Sequence, residues 1–324
     1  MSQSNPGVAT DKASPAPHHD YWVFSDGTFM RYRDVRIGLM THAFSYGTAC
    51  FEGIRAYWND VDGQLYLLQA VPHFQRLLRS ARVLRMDFAY SVDELIAHTC
   101  EVLSRNDFRT DTFIRPTAYK SSEEIGVRLT GVRDSLAIYA IPFGSYVPDD
   151  RGLRCLVSSW RRISDSSLPA RAKISGSYVN SALAKSEALD NGYDEAIVLG
   201  QDGHVSEGSA ENLFMIRDGV AVTPPVTDDI LEGVTRQAVI ELLRDEVGIP
   251  VVERSIDRTE LYICDELILC GTAAQVVPVI EVDQRPVGDG RIGEVAQTLQ
   301  LAYFGAVRGK DAKRRHWLTP VYRR

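Results

Sequence analysis

Four short stretches in the second half of the chain hold residues whose types and spacing could do chemistry. In Ala172-Lys173-Ile174-Ser175-Gly176-Ser177-Tyr178-Val179-Asn180 a single lysine stands among small residues just ahead of a helix. A partly desolvated lysine has a lowered pKa and becomes a nucleophile and a base near neutral pH. In Ser206-Glu207-Gly208-Ser209-Ala210-Glu211-Asn212 two carboxylates four apart precede the apolar run Leu213-Phe214-Met215-Ile216. Buried there, Glu207 needs a cationic partner, such as a protonated pyridine nitrogen. Leu231-Glu232-Gly233-Val234-Thr235-Arg236 opens a helix. Gly233 lets the backbone come close, and the free N–H groups of the helix start join the Thr235 hydroxyl in an anion cup. In Cys270-Gly271-Thr272-Ala273-Ala274 a strand end turns through small residues, and Thr272 adds a second hydroxyl beside a nest of amides. Singly, each fits an ordinary surface lysine, acidic loop, helix start or turn. Together, an amine, a carboxylate and two anion cradles match what pyridoxal 5′-phosphate requires: an imine partner, a proton holder for the ring nitrogen and a phosphate site.

The elements that must position these groups follow from periodicity and turn residues. Residues 1–20 are rich in Pro, Ser, Ala and His and read as a disordered tail. A hairpin is expected from Tyr21 through the Asp26-Gly27 turn, helices over 71–86 and 92–105, and strands over 112–118 and 135–142. Residues 142–152, with two prolines and two glycines, read as a linker between an N-terminal unit, 21–141, and a C-terminal unit, 153–324. In the second unit strands are expected at 153–160, 195–199, 212–224, 250–256, 266–270 and 276–283, with helices at 179–191, 234–247 and 293–306. The mixture lacks a regular βαβ rhythm, so the expected class is α+β.

Composition bounds the function. The 324 residues are 44% hydrophobic and 24% charged, with a net charge of −7. That balance suits a soluble globular protein and gives no support to binding of nucleic acid or anionic membrane. No apolar run approaches the roughly 20 residues of a membrane span. The first twenty residues show no apolar stretch behind a basic start, and the five cysteines form no C-x-x-C, so a cytoplasmic protein with reduced thiols is expected. His18-His19-Asp20 lacks further ligands, so no metal site is expected. Gly288-Asp289-Gly290-Arg291-Ile292-Gly293 matches G-x-G-x-x-G but lies too near the C-terminus for a dinucleotide unit, and reads as a turn before the last helix.

From about residue 21 to 310 the sequence resembles the fold-type IV pyridoxal-phosphate aminotransferases, most closely the branched-chain amino acid aminotransferases. The resemblance rests on Ser45-Tyr46-Gly47-Thr48, Phe51-Glu52-Gly53-Ile54-Arg55-Ala56-Tyr57 and Ile114-Arg115-Pro116. It continues in Gly176-Ser177-Tyr178-Val179-Asn180-Ser181, Ser206-Glu207-Gly208, Glu211-Asn212-Leu213-Phe214, Gly233-Val234-Thr235-Arg236 and Gly271-Thr272-Ala273-Ala274. It implies a two-domain fold like that of D-amino acid aminotransferase, with a small N-terminal α/β domain and a larger C-terminal domain built on a β-barrel-like sheet. Lys173 would be the Schiff-base lysine, Glu207 the partner of the pyridine nitrogen and Tyr178 the partner of the ring oxygen. Arg76, Gly233, the amides of Val234 and Thr235, and Thr272 would hold the phosphate. Tyr46, Phe51, Arg115 and the Thr272-Ala273 amides would line the substrate pocket, with Val127 and Tyr146 lent by a partner subunit of at least a homodimer. The implied reaction is ping-pong transfer of an amino group between Leu, Ile or Val and 2-oxoglutarate, with Arg115 meeting the second carboxylate.

Phe113 and Phe143 stand where many family members carry Tyr and Trp, and the Gly126-Val127 stretch lacks the usual Asn-Pro after it. The wider, drier pocket leaves a bulkier or aromatic substrate open. A D-amino acid aminotransferase, an aminodeoxychorismate lyase-like enzyme and a catalytically silent binding protein are the rival readings; the Phe51–Tyr57 and Ile114–Pro116 motifs favour the branched-chain group.

Overall fold

Short, largely buried apolar runs lay down two sheets, and the second half of the chain crosses back to complete the first. A computed structural model describes residues 18–144 and 151–322. The tail reading for 1–17 and the linker reading for 145–150, Tyr146 included, lie outside the described residues. His18–Asp20, expected within the tail, forms a short 3-10 turn, because the His18 carbonyl accepts from Tyr21 N at 3.1 Å and the two rings stack at 5.1 Å.

In chain order the strands are β1 Trp22–Ser25, β2 Thr28–Arg31, β3 Ala49–Phe51, β4 Ile54–Asn59, β5 Gln64–Leu68, β6 Thr112–Lys120 and β7 Asp134–Pro142. They continue with β8 Leu153–Arg161, β9 Glu195–Leu199, β10 Val205–Gly208, β11 Asn212–Arg217, β12 Val220–Thr223, β13 Val251–Glu253, β14 Glu266–Gly271, β15 Gln275–Val282, β16 Arg285–Pro286 and β17 Leu318–Pro320. The helices are α1 His42–Tyr46, α2 Ala70–Val83, α3 Val92–Asn106, α4 Tyr178–Asp190, α5 Val234–Leu242 and α6 Glu294–Val307. The first sheet has eight strands in the order β17-β5-β4-β6-β7-β1-β2, with β3 paired to β6. The second has nine, β10-β9-β8-β15-β14-β11-β12-β13, with β16 paired to β15. Parallel and antiparallel pairs mix in the second sheet, as an α+β fold allows.

Several elements differ from expectation for local reasons. α2 stops at Val83 instead of 86, because Arg85 takes φ 52° and Met86 N turns back to Ala81 O at 2.9 Å. Leu84 and Met86 still reach the core, through that turn. The stretch 212–224 divides into a hairpin, β11 and β12, at Asp218-Gly219. Strand 250–256 shortens to β13. The helix expected over 234–247 is α5 followed by a π turn over Leu243–Val247, ending at Gly248 with φ 79°. β17, a strand that periodicity does not announce, lies within the span assigned to the second unit yet pairs antiparallel with β5, an edge strand of the first sheet.

One core lies between the first sheet and helices α2 and α3, around Phe74, Leu77 and Ile114. Another packs α5 and α6 on β14 and reaches Tyr57 and Tyr66 of the first sheet. Between these two bodies of packed side chains runs a crevice. At one wall α1 ends on Gly47 in the left-handed region, φ 68°, where an added Cβ would stand 3.0 Å from the Gly176 Cα. Only glycine meets both demands without strain. Gly47→Ala is expected to cost about 1–2 kcal/mol, read as a lower urea midpoint at unchanged slope.

Candidate active site

The segment between β8 and α4 carries Lys173 across the crevice, and both of its backbone groups are tied to the first sheet's side. Lys173 N donates to Ser80 Oγ on α2 at 3.0 Å, and its carbonyl accepts from Phe51 N on β3 at 3.0 Å. Ile174 bridges to Cys50. With the main chain held, the ammonium donates to Tyr178 Oη at 2.5 Å and lies 5.1 Å from the ring centroids of both Phe51 and Tyr178.

Glu207 faces the same crevice from β10, placed by a register shift against β9. It is 4% exposed. Its carboxylate pairs with Arg162 at 2.8 Å and accepts from Asn212 Nδ2 and Leu231 N, both at 3.0 Å. Burial still pushes its pKa above the ordinary value, against the pull of the Arg162 guanidinium and the Leu231 amide. A further cation in the crevice would therefore be welcome. Asn212 also sets the anion cup: an added Cβ at Gly233 would sit 2.0 Å from Asn212 Oδ1, so only glycine lets α5 begin there.

Arg76 is 4% exposed, although helix spacing alone would turn it to solvent. Its Nε and Nη2 grip the two oxygens of Glu52, each at 2.7 Å, and Nη1 donates to Glu232 O at 2.8 Å. His73 Nδ1 donates to the same carboxylate at 2.8 Å. Burial would raise the Glu52 carboxyl, but the Arg76 guanidinium, aided by His73, holds it down at about 2. Burial likewise lowers the His73 pKa, with Glu52 opposing, which favours a neutral imidazole.

Arg76, Lys173, Tyr178, Glu207, Gly233, Val234, Thr235 and Thr272 line one cleft of about 560 Å³, counted to its solvent mouth. A second cleft adjoins it through Ala210 and Glu211 and is lined by Phe113, Arg115, Tyr139, Ile141, Phe143, Ala273 and Ala274. Phe51 separates the two: its ring centroid is 4.4 Å from the Arg115 guanidinium carbon. Arg115 also lies 5.2 Å from the Phe113 centroid, and its buried Nε has no hydrogen-bond partner among the described residues. Tyr46 lines neither cleft. Its hydroxyl accepts from Gly126 N at 3.1 Å, beside Val127, which is 77% exposed.

Sequence reasoning missed Arg162 as the counter-ion of Glu207, Asn212 as the brace of Glu207, and Glu52 with His73 as the grip on Arg76. Glu52 sits inside one of the family motifs, but its partners are over twenty residues away and no local spacing announces them. Among the described residues no three His, Cys, Asp or Glu side chains gather as a metal site, and no helix is long and apolar enough to cross a membrane.

A family model described as amino-transferase class IV matches residues 49–282, a span that holds Arg76, Lys173, Glu207, the Gly233 cup and Thr272. The chain belongs to that family. Class IV aminotransferase relatives cover it almost end to end. A probable branched-chain-amino-acid aminotransferase of Aquifex aeolicus (strain VF5) is 50% identical over 301 residues, 93% of this chain and 97% of that protein. The crystal structure of a branched-chain aminotransferase from the archaeon Thermoproteus uzoniensis with norvaline is similar at TM-score 0.89 and 43% identity, covering 93% of this chain and 99% of that one. A T.th. branched-chain amino acid aminotransferase complexed with N-(5′-phosphopyridoxyl)-L-glutamate has a TM-score of 0.89 at 38% identity, covering 94% of this chain and 99% of that one.

Removing the negative charge of Glu52 leaves Arg76 buried and unpaired. Glu52→Gln is expected to destabilise the fold by about 3 kcal/mol. Because the folded pKa of Glu52 is depressed from 4.5 to about 2, its contribution is complete above about pH 4.5 and is lost as pH falls toward 2. Chemical denaturation between those pH values should show this loss in the parent and not in the Gln variant.

Proposed function

We propose that this class IV aminotransferase is a pyridoxal-phosphate enzyme that moves the amino group between Leu, Ile or Val and 2-oxoglutarate by a ping-pong route. The observation that carries this reading is the placement of the Lys173 amine and the buried Glu207 carboxylate in one cleft, with an apolar cleft holding Arg115 next to it. The relatives named as branched-chain aminotransferases and the phosphopyridoxyl-glutamate bound by one of them support it.

The donor set fits the cofactor. Arg76, the Val234 and Thr235 amides at the head of α5, and the Thr235 and Thr272 hydroxyls offer themselves to a phosphate. Glu207, under-compensated by Arg162 alone, would hold a proton on a ring nitrogen. When bound, pyridoxal phosphate supplies an aldehyde that takes up amino groups and a ring that withdraws electron density from the substrate Cα. The Lys173 Nζ takes the proton from Cα and returns one, with Tyr178 Oη holding it in reach. Phe51, Phe113 and Phe143 exclude water and accept an aliphatic side chain. Arg115 gives 2-oxoglutarate's distal carboxylate a guanidinium already set over two rings, with its Nε unbonded among the described residues.

A homodimer belongs to the same reading. Ile37, Leu39, Met40, Phe44 and Ile125 are all exposed large apolar residues, and Tyr32, Ile37 and Phe44 line an apolar cleft of about 1350 Å³. A second copy covering this face would carry the Tyr46–Val127 corner toward the other subunit's site. A cytoplasmic location belongs to the same reading, since the five cysteines are scattered and form no C-x-x-C.

In the loaded protein, L-leucine is expected to bleach the cofactor's absorbance and 2-oxoglutarate to restore it; a response to D-alanine instead would overturn the reading. Lys173→Ala should lose about 10⁴-fold in turnover, and borohydride should fix the phosphopyridoxyl mass on Lys173 in the parent. Phe44→Asp should shift the sedimenting species from dimer to monomer.

A further inference from the structure

Glu211, between β10 and β11, is 7% exposed and lines both clefts. Its place is fixed on two sides. The Glu211 carbonyl accepts from Gly208 N at 2.7 Å. An added Cβ would stand 3.0 Å from its Oε2 at Gly208 and 3.7 Å from its Cγ at Gly271, so the two glycines form the slot in which the side chain lies. Its one side-chain hydrogen bond among the described residues comes from the Ala210 amide to Oε2, at 3.0 Å.

The groups around it leave this carboxyl short of positive charge. Lys185 on α4 acts on it, but that ammonium is committed to Glu195 on β9, Nζ to Oε2 at 2.5 Å. Glu195 is itself buried, so two carboxyls share one lysine. Glu207 on β10 adds repulsion. The thiols of Cys155 on β8 and Cys270 on β14 are raised by burial and stay neutral. Burial first, then Glu195, push the Glu211 carboxyl up to about 8, against the Ala210 amide and Lys185.

The second cleft is where this charge is felt. Among the described residues that line it, Arg115 and Glu211 are the two that can be charged near neutral pH; the rest are aromatic, aliphatic or alanine. With Glu211 protonated the lining carries one positive charge. With Glu211 ionised the lining is neutral, and an incoming anion meets a carboxylate as well as a guanidinium. Apolar walls leave both charges poorly screened.

We propose that Glu211 is a specificity-determining residue for the acceptor: with its proton on, it leaves the Arg115 charge open to the second carboxylate of 2-oxoglutarate, and once ionised it opposes that carboxylate. The inference rests on the aminotransferase reading above. A substrate with a single carboxylate loses less, so the discrimination is a difference between two affinities that changes with pH.

The test uses the pyridoxal-phosphate-loaded protein and two competitive inhibitors, glutarate and 4-methylpentanoate. Both are fully ionised above about pH 6.5, and titration of the cofactor or Lys173 weighs on both, so the ratio of their inhibition constants isolates the second carboxylate. In the parent, glutarate should weaken relative to 4-methylpentanoate by about tenfold between about pH 6.5 and 9. Glu211→Gln, which still accepts from the Ala210 amide, should hold the ratio flat at its low-pH value. Glu195→Gln removes the repelling neighbour and should move the rise to lower pH; it carries the comparison if the first variant does not fold. The ratio of kcat/KM for 2-oxoglutarate and 4-methyl-2-oxopentanoate should fall over the same range. A ratio that stays flat in the parent, a rise that survives Glu211→Gln, or a rise that Glu195→Gln leaves in place would overturn the proposal. If the parent converts leucine and one of these results appears, the role of Glu211 alone fails; a loaded parent that converts no leucine overturns the function on which it rests.

Discussion

Charged side chains removed from water keep their positions only while the protein itself solvates them, and this crevice depends on such a case at Arg76. The guanidinium approaches the anion cup only because Glu52 takes two of its nitrogens and Glu232 O a third. Glu52 in turn is anchored by its own amide on Pro116 O, in the middle of the first sheet. A cation on a helix, a carboxylate in the link between β3 and β4 and a carbonyl from the second half of the chain are thus tied together. Lys173 is fixed by the same two elements, through Ser80 on α2 and Phe51 beside Glu52. The Lys173 amine and the Arg76 guanidinium therefore share a foundation.

Two carboxylates four residues apart show how packing divides equal side chains into different roles. Glu207 has Arg162, Asn212 and the Leu231 amide. Glu211 lacks a comparable cation: burial and the nearby Glu195 push its carboxyl up to about 8, with the Ala210 amide and Lys185 pulling weakly the other way. Burial raises both carboxyls, and Glu207 is the one with a guanidinium against it, while Glu211 forms a wall shared by both clefts.

Much of the second half was legible because its candidate site residues sit in local signals: a lysine before a helix start, a glycine at a helix N-cap, small residues at a strand turn. Their common location follows from strands that turn where Gly and Asp fall. Arg76 was legible only through family resemblance, since Gln75, Arg76 and Arg79 look alike on a helical wheel and only the distant Glu52 selects one for burial. Arg162 and Asn212 were not legible, because their importance arises from pairing across the second sheet and no spacing encodes it. β3, β4 and β5 passed unassigned for a related reason: their polar members, Arg55 and Gln64, are buried by long-range bonds and break the alternation that marks a strand.

The return of β17 to the first sheet has a consequence for synthesis. Gln69 N, at the head of the helix that carries Arg76, donates to Trp317 O at 2.6 Å, and Gln64 binds the backbone of Tyr322 in both directions. Until residues 317–322 have left the ribosome the chain holds every group of the cleft yet lacks the edge that secures that helix, so the helix bearing Arg76 is seated late in synthesis.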